Sequence, residues 1–173
     1  SRFDAQAAIM EIEETDLVAL VRETIDYIHP SQDRIVILQA PNTPVMVDVD
    51  PRRIKRIIRN LISNALDHRE NQRVDVRIAE SDNEVSIGVR DYGSGFNYTD
   101  RKMLFERFWR ADSSRARSTG GTGLGLSISL EDAKLHQGEI EVWGERGRGA
   151  HFVLTIPKYA GGSIESRPIS AQL

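Results

Sequence analysis

Three short stretches of this 173-residue chain carry side chains whose types and spacing could do chemistry. The first is the pair Asn60 and Asn64, four residues apart. On a helix they project side by side. At about 100° per residue they fall on the border of an apolar stripe, next to Ile57, where side chains look into clefts. An asparagine there can offer its carbonyl oxygen to Mg²⁺, a hard cation that takes oxygen ligands and keeps several waters. The same amides would equally serve to cap neighbouring loops. The second stretch is Asp91-Tyr92-Gly93-Ser94-Gly95, directly after an expected strand. A carboxylate at a strand end can accept a hydrogen bond from an exocyclic amine such as N6 of adenine, and glycines beside it admit a flat ring close to the backbone. An ordinary turn uses the same residue types. The third is Gly120-Gly121-Thr122-Gly123-Leu124-Gly125-Leu126, running into a helix. Converging backbone N–H groups and the positive end of the helix suit a phosphate chain; a flexible hinge is the alternative. The alternating glycines, with no Gly-Lys-Ser/Thr after them, match neither the dinucleotide fingerprint nor the P-loop.

Between the second and third stretches lies Leu104-Phe105-Glu106-Arg107-Phe108-Trp109-Arg110. Aromatics in a segment otherwise rich in Ser, Arg and Gly make sense as the anchor of a loop that folds over a ligand. Six basic residues (Arg101, Lys102, Arg107, Arg110, Arg115, Arg117) face three acidic ones (Asp100, Glu106, Asp112) there. That excess suits a polyanion such as ATP, with a solvated surface loop as the alternative.

The bulk properties narrow the function classes. Hydrophobic residues make up 39% and charged residues 28%, which describes an ordinary globule rather than a disordered chain. A net charge of −3 gives no reason to expect nucleic-acid binding. The absence of cysteine removes disulfides, thiolate metal sites and cysteine nucleophiles together. No apolar run approaches the roughly 20 residues that span a bilayer.

The elements that must position these stretches follow from periodicity. Residues 1–8 read as the end of a helix and Ile9 to Glu13 as a strand. Thr15 and Asp16 can cap a helix carrying Leu17, Val18, Leu20, Val21, Ile25 and Ile28 at helical spacing. Arg34 to Leu38 and Val45 to Val49 read as strands. Asp50 is a good N-cap and Pro51 a good first residue for a long helix, along which Ile54, Ile57, Ile58, Leu61, Ile62, Ala65 and Leu66 mark one buried face. Arg73 to Ala79 and Glu84 to Arg90 form a hairpin. A short helical patch falls near Arg101 to Phe108. A helix from Leu124 to His136 precedes two strands, Glu139 to Gly144 and Ala150 to Ile156, around Gly147-Arg148-Gly149. Residues 159–173, with Gly-Gly, Ser and Pro, read as a flexible C-terminal tail. Strands joined by tight turns favour an α+β fold: a two-layer α/β sandwich, with a mixed, mostly antiparallel sheet of about five strands and three helices on one face.

The order and spacing of these stretches resemble the GHKL ATPase superfamily, and within it the sensor histidine kinases. Asn60 to Ala65 is similar to the family's N box, Asp91 to Gly95 to its first glycine box, Phe105 to Arg110 to its F box and Gly121 to Leu126 to its second glycine box. The resemblance covers roughly residues 9–158, and residues 1–8 resemble the end of the dimerisation helix that precedes this domain. Asn64-Ala65-Leu66-Asp67-His68 together with Phe108-Trp109-Arg110-Ala111-Asp112 resembles the actinobacterial MtrB type. The resemblance implies the Bergerat fold with an ATP lid from about Asn97 to Gly121. It implies ATP and Mg²⁺ as cofactors: Asn64 would coordinate Mg²⁺, with Asn60 supporting the phosphates. Asp91 would hold the adenine amine, with Gly93 and Gly95 shaping the base pocket. Gly121, Thr122, Gly123, Leu124 and Gly125 would wrap the phosphates. Phe108 would line the site and Arg110 would reach the γ-phosphate.

One departure stands out. Many members carry a Lys three residues after the Mg²⁺ asparagine and an aromatic next; here those positions are Asp67 and His68. The expectation is that Arg69 or the lid arginines replace the lost phosphate contact while His68 stacks on adenine. The resemblance also implies an acceptor histidine on a dimerisation helix, a cognate response regulator, and a cytoplasmic location within a membrane-anchored kinase. This chain would be monomeric and the full-length protein a homodimer. None of His29, His68, His136 and His151 is followed by the Glu/Asp-Leu-Arg-Pro of the family's acceptor motif, so the chain should bind ATP without phosphorylating itself. Three other functions are weighed. ATP hydrolases of the gyrase, Hsp90 and MutL branch place a Glu where this chain has Asn60, and anti-sigma-factor serine kinases fit the Phe-Glu-Arg-Phe box poorly. The third is a non-catalytic nucleotide sensor.

Overall fold

The computed structural model of the protein describes residues 9–28, 35–70, 72–106 and 125–172. Its organising element is the helix α2 (Pro51–His68). Asp50 stands in extended backbone at its N-cap and accepts from the amides of Arg52 and Arg53, so donors that a helix start leaves open are used. Ile54, Ile57, Ile58, Leu61, Ile62 and Ala65 are buried, which is the face the spacing predicted. Two further helices share its layer: α1 (Leu17–Ile28) and α3 (Gly125–Leu135). Asp16 accepts from the amide of Val18 at the start of α1.

The second layer is a five-stranded sheet. Its strands are β2 (Val36–Gln39), β4 (Val74–Glu80), β5 (Glu84–Asp91), β6 (Glu139–Glu145) and β7 (Gly149–Pro157), in spatial order β2-β4-β5-β7-β6. Only the β2–β4 pair is parallel. The mixed, mostly antiparallel sheet and its three helices are therefore those expected. A separate two-stranded sheet joins β1 (Glu13–Asp16) to β3 (Met46–Val49) in antiparallel register, Glu13 opposite Val49. The first strand thus lies further along the chain than the alternation of Ile9 to Glu13 suggested, and Ile9 and Ile12 are exposed. The short helical patch expected near Arg101 to Phe108 takes the form, among the described residues, of two 3₁₀ turns, Tyr98–Asp100 and Met103–Phe105.

The core sits between the layers. Val74, Val76 and Ile78 of β4, Val85, Ile87 and Val89 of β5, and Phe152, Leu154 and Ile156 of β7 meet the apolar faces of the helices. The other face of the sheet is where the expectation of a flexible tail fails. All nine residues of β7 are buried, although an antiparallel strand with helices on one side should alternate. The cover is the C-terminal segment itself. Ile169 and Ala171 are buried against Val153, with Ala79 and Trp143 beside them. Glu84, 2% exposed, accepts from the amides of Glu165 and Ser166 and from the hydroxyls of Ser81 and Ser166. Arg167 pairs with Glu139. His151 donates through Nδ1 to the carbonyl of Ala171 at 2.8 Å, and its ring lies over Gly88, where an added Cβ would come within 2.8 Å of Nε2. The segment is fixed because the outward residues of β5 and β7 need a partner, which its Gly, Ser and Pro content does not reveal. Residues 1–8, read as the end of a helix, lie outside the described residues.

These bonds to Glu84 hold its carboxyl at about 2, below the ordinary 4.5, with Ser81 the largest contributor. A depressed carboxyl contributes stability above its unfolded value and loses it as pH falls through the folded value. Urea midpoints for wild type should therefore fall between pH 4.5 and about 2 more steeply than those of Glu84→Gln. Parallel curves would show that the strap does not engage this carboxylate.

Candidate functional site

The site elements converge on α2. Asn60, half-buried, donates through Nδ2 to the carbonyl of Gly125 at 3.2 Å and to Ser129 Oγ at 3.1 Å. Ser129 itself donates back to the Gly125 carbonyl at 2.8 Å. Gly125 therefore starts α3 against the Asn60 side chain, and an added Cβ on it would lie 3.6 Å from the Asn60 amide carbon. The expectation that both amides cap neighbouring loops is met only in part: the Asn60 nitrogen holds the first turn of α3 rather than a loop. Asn64, one turn further on and also half-buried, makes no side-chain hydrogen bond among the described residues. Its carbonyl oxygen has the character a Mg²⁺ ligand needs, and a cation carried by phosphates and waters asks little more of the protein.

A second clamp fixes α3 on α2. Asp132 has a buried side chain that takes Arg53 Nη1 at 3.0 Å and Arg56 Nε at 2.8 Å. His136, one turn later, accepts the amide of Asp50 through Nε2 and donates through Nδ1 to the carbonyl of Asp132. Burial depresses its pKa and keeps it neutral, as this pair of roles requires. Neither Ser129 nor Asp132 was singled out from the sequence. The available signal was polar residues on the inward positions of α3, matched by arginines one and two turns before Asn60 on α2.

The Asp91–Gly95 loop is built by contact rather than by freedom. Asp91 ends β5 and is 1% exposed; its Oδ1 accepts from the amide of Gly93 at 3.0 Å. A Cβ on Gly93 would lie 1.3 Å from the carbonyl oxygen of His68, so this loop seats directly on the C-terminal end of α2. Gly95 has φ +68 and packs on the carbonyl of Glu145, where a Cβ would approach to 2.0 Å. Ser94 accepts from the amide of Gly147. Gly147-Arg148-Gly149 is thus the turn that backs the loop. Next, Phe96 is buried across Gly144. Within the loop, Tyr92 is exposed and donates to Asp75 at 2.6 Å, and Arg90 of β5 stacks between Tyr92 and Trp143. Phe105 and Leu104 pack on the main core, with Phe105 edge-on to Phe152 at 6.4 Å. Asp67 is exposed at the same end of α2, and half-buried His68 lies close enough to Asp91 to favour its ionised form. Among the described residues, the Arg69 guanidinium reaches only the Gln72 carbonyl, at 3.4 Å. Phe108, Arg110, Gly121, Thr122, Gly123 and Leu124 lie outside the described residues.

Desolvation raises the pKa of Asp91, and the amide of Gly93 opposes that. A carboxyl with a raised folded pKa favours folding while protonated and loses that contribution as pH rises. The ionised Asp91 is therefore a cost to the empty domain at neutral pH. Asp91→Asn should melt at or above the wild-type temperature at pH 7, with the gap closing in acid. It should lose about 1.5–3 kcal/mol of adenine-nucleotide binding, the range for a hydrogen bond to a charged group. A variant that is both less stable and an equal binder would contradict the assignment.

Comparison with known proteins places this geometry. The family described as histidine kinase-, DNA gyrase B- and HSP90-like ATPases matches residues 49–160. The sensor histidine kinase MtrB of Mycolicibacterium paratuberculosis is 46% identical over 172 residues, covering 98% of this chain and 30% of that protein. MtrB of Mycobacterium tuberculosis is 44% identical over the same length, again covering 30% of that protein. The chain thus spans less than a third of these relatives. Among solved structures, the catalytic domain of histidine kinase ThkA matches with a TM-score of 0.75 at 26% identity, covering 87% of this chain and 98% of that one. With the Asn60–Gly125 clamp and the Asp91–Gly95 loop both inside the matched region, this chain belongs to the histidine kinase-, DNA gyrase B- and HSP90-like ATPase family.

Proposed function

We propose that this chain is the ATP-binding catalytic domain of a two-component sensor histidine kinase, passing the γ-phosphoryl group of ATP to a histidine on a dimerisation helix. The observation that carries the reading is the convergence on one helix. Asn60 holds the start of α3, Asn64 stands beside it, and the carbonyl of His68 seats the Asp91–Gly95 loop. Base, metal and phosphate positions then follow along α2 in the order adenine, Mg²⁺ and phosphates.

Asp91 accepts from the adenine amine at the bottom of a pocket whose floor is Gly93 and Gly95. Asn64 offers its oxygen to Mg²⁺. Asn60 keeps the start of α3 in place, so that the positive end of α3 faces the phosphates, which Gly121, Thr122, Gly123, Leu124 and Gly125 would wrap. Held by Asn64, Mg²⁺ would supply charge neutralisation during transfer. Arg110 reaches the γ-phosphate, and His68 stacks on the base. Asp67 cannot neutralise phosphate, so arginines of the lid or Arg69 supply that charge. Phosphoryl transfer is chiefly positioning and charge neutralisation, and this set of residues supplies both.

Hydrolysis fits less well. A water-activating base one turn before Asn64 would sit at position 60, where the asparagine amide is committed to Gly125 and Ser129. Loss of a general base costs typically 10²–10⁴-fold in rate. The acceptor is assigned to the dimerisation helix: none of the four histidines carries the acceptor motif, and His136 and His151 are buried in hydrogen bonds to backbone. The partners are the dimerisation helix of the whole protein, which forms the dimer, and a response regulator. This domain would work on the cytoplasmic side of a membrane-anchored protein; among the described residues no helix is long and apolar enough to cross a membrane.

Calorimetry with ADP and ATP, with and without Mg²⁺, tests the reading. Wild type should bind, and Asn64→Ala should lose most of the Mg²⁺ dependence while still binding nucleotide. With γ-labelled ATP, no acid-labile phosphate should form on this chain alone, and addition of the dimerisation helix should restore it. A wild type that ignores nucleotide would overturn the proposal. Binding without phosphotransfer to the added helix would leave a nucleotide sensor.

A further inference from the structure

The strap on the outer face of the sheet ends beside the nucleotide site. From Pro157 the chain turns back along β7. Glu165 and Ser166 are held by Glu84 at one end of the sheet, Arg167 by Glu139, Ile169 by Val153, and Ala171 by His151. Each contact lies further toward the end of the sheet where β5 delivers Asp91, since Arg90 pairs with His151 and Asp91 with Ala150. The last contact crosses to the turn that follows the Asp91–Gly95 loop: Gln172 donates through Nε2 to the hydroxyl of Tyr98 at 3.1 Å. Tyr98 begins the 3₁₀ turn that follows Gly95 and Phe96. Its carbonyl takes both the amide and the guanidinium of Arg101, whose cation stacks on the Tyr98 ring at 4.3 Å. Asn97, next to it, is held by Arg146 of the β6–β7 turn. Tyr98 is therefore a joint at which the strap, the base-binding loop and the start of the expected ATP lid meet.

From this arrangement we infer that Gln172 and Tyr98 are positioning residues for nucleotide binding, and that the C-terminal strap is thermodynamically coupled to the nucleotide site. The inference rests on the nucleotide-binding reading above. The strap restricts the loop after Gly95 from the face opposite the helices, so an ordered strap lowers what nucleotide must spend in ordering that loop. Linkage makes the effect reciprocal: nucleotide that favours the ordered loop favours the docked strap by the same factor.

The probe is ADP with Mg²⁺, its affinity measured by calorimetry well below the melting temperature. Deletion of residues 165–173 should weaken ADP binding about fivefold or more, the low end of typical coupling. Gln172→Ala and Tyr98→Phe should each weaken it about threefold, on the order of one net hydrogen bond, with the double variant no weaker than either single one. Conversely, ADP should slow hydrogen exchange at the amides of Glu165 and Ser166, which a purely structural strap would not show. If the deletion does not fold, the two point variants and the exchange measurement still decide. If wild type binds ADP and the variants bind equally, with strap exchange unchanged, the coupling is refuted while the nucleotide site stands. If wild type binds no ADP, the functional reading fails first.

Discussion

The position of α2 against α3 is the constraint on which the rest depends. Asp50 caps α2 and is itself held by His136 of the turn after α3. Arg53 and Arg56 close on the buried Asp132, and Asn60 closes on Gly125 and Ser129. These contacts run along one side of α2 for two and a half turns. They tie together two segments separated by the whole β4–β5 hairpin and the loop after it. A buried carboxylate is tolerable here because two guanidiniums compensate it; removing one partner would leave its charge less compensated. The outcome is that the helix whose positive end would face phosphates cannot drift away from the asparagine that would serve the metal.

The Asp91–Gly95 loop depends on the same helix from its other end. Gly93 has no room for a side chain because the His68 carbonyl occupies it, and Gly95 has none because of Glu145. Glycine is needed there for close approach of backbone to backbone, and at Gly95 also for its positive φ. The departure at Asp67 and His68 falls at this junction. An exposed acid and a half-buried imidazole replace a lysine and an aromatic without disturbing the Gly93 seat, since that seat is made by backbone. The chemistry at this end of α2 can thus vary while the scaffold stays.

Much of this was legible in the sequence where the signal is local. Asp50-Pro51 and the isoleucine spacing announce α2, and Gly147-Arg148-Gly149 announces the β6–β7 turn. Asn60 and Asn64 were readable as neighbours because helical spacing alone makes them so. What was not legible depends on partners far along the chain. The first strand is set by its register with Val49, so Ile9 and Ile12, which alternate well, end up exposed. The clamp through Asp132 requires knowing that α3 lies on α2. The strap escaped because residues 159–173 look like a linker. Its order is decided by His151, Val153 and Thr155, which give β7 a second face that must be covered.

The most direct test of the central claim, that one cleft along α2 holds nucleotide, is an amide NMR spectrum titrated with ADP and Mg²⁺. The account predicts the largest changes at Asn64, His68, Asp91, Gly93, Gly95 and Gly125, on three elements that are distant in sequence. Changes confined to another face of the domain, or no change at saturating ADP, would contradict it.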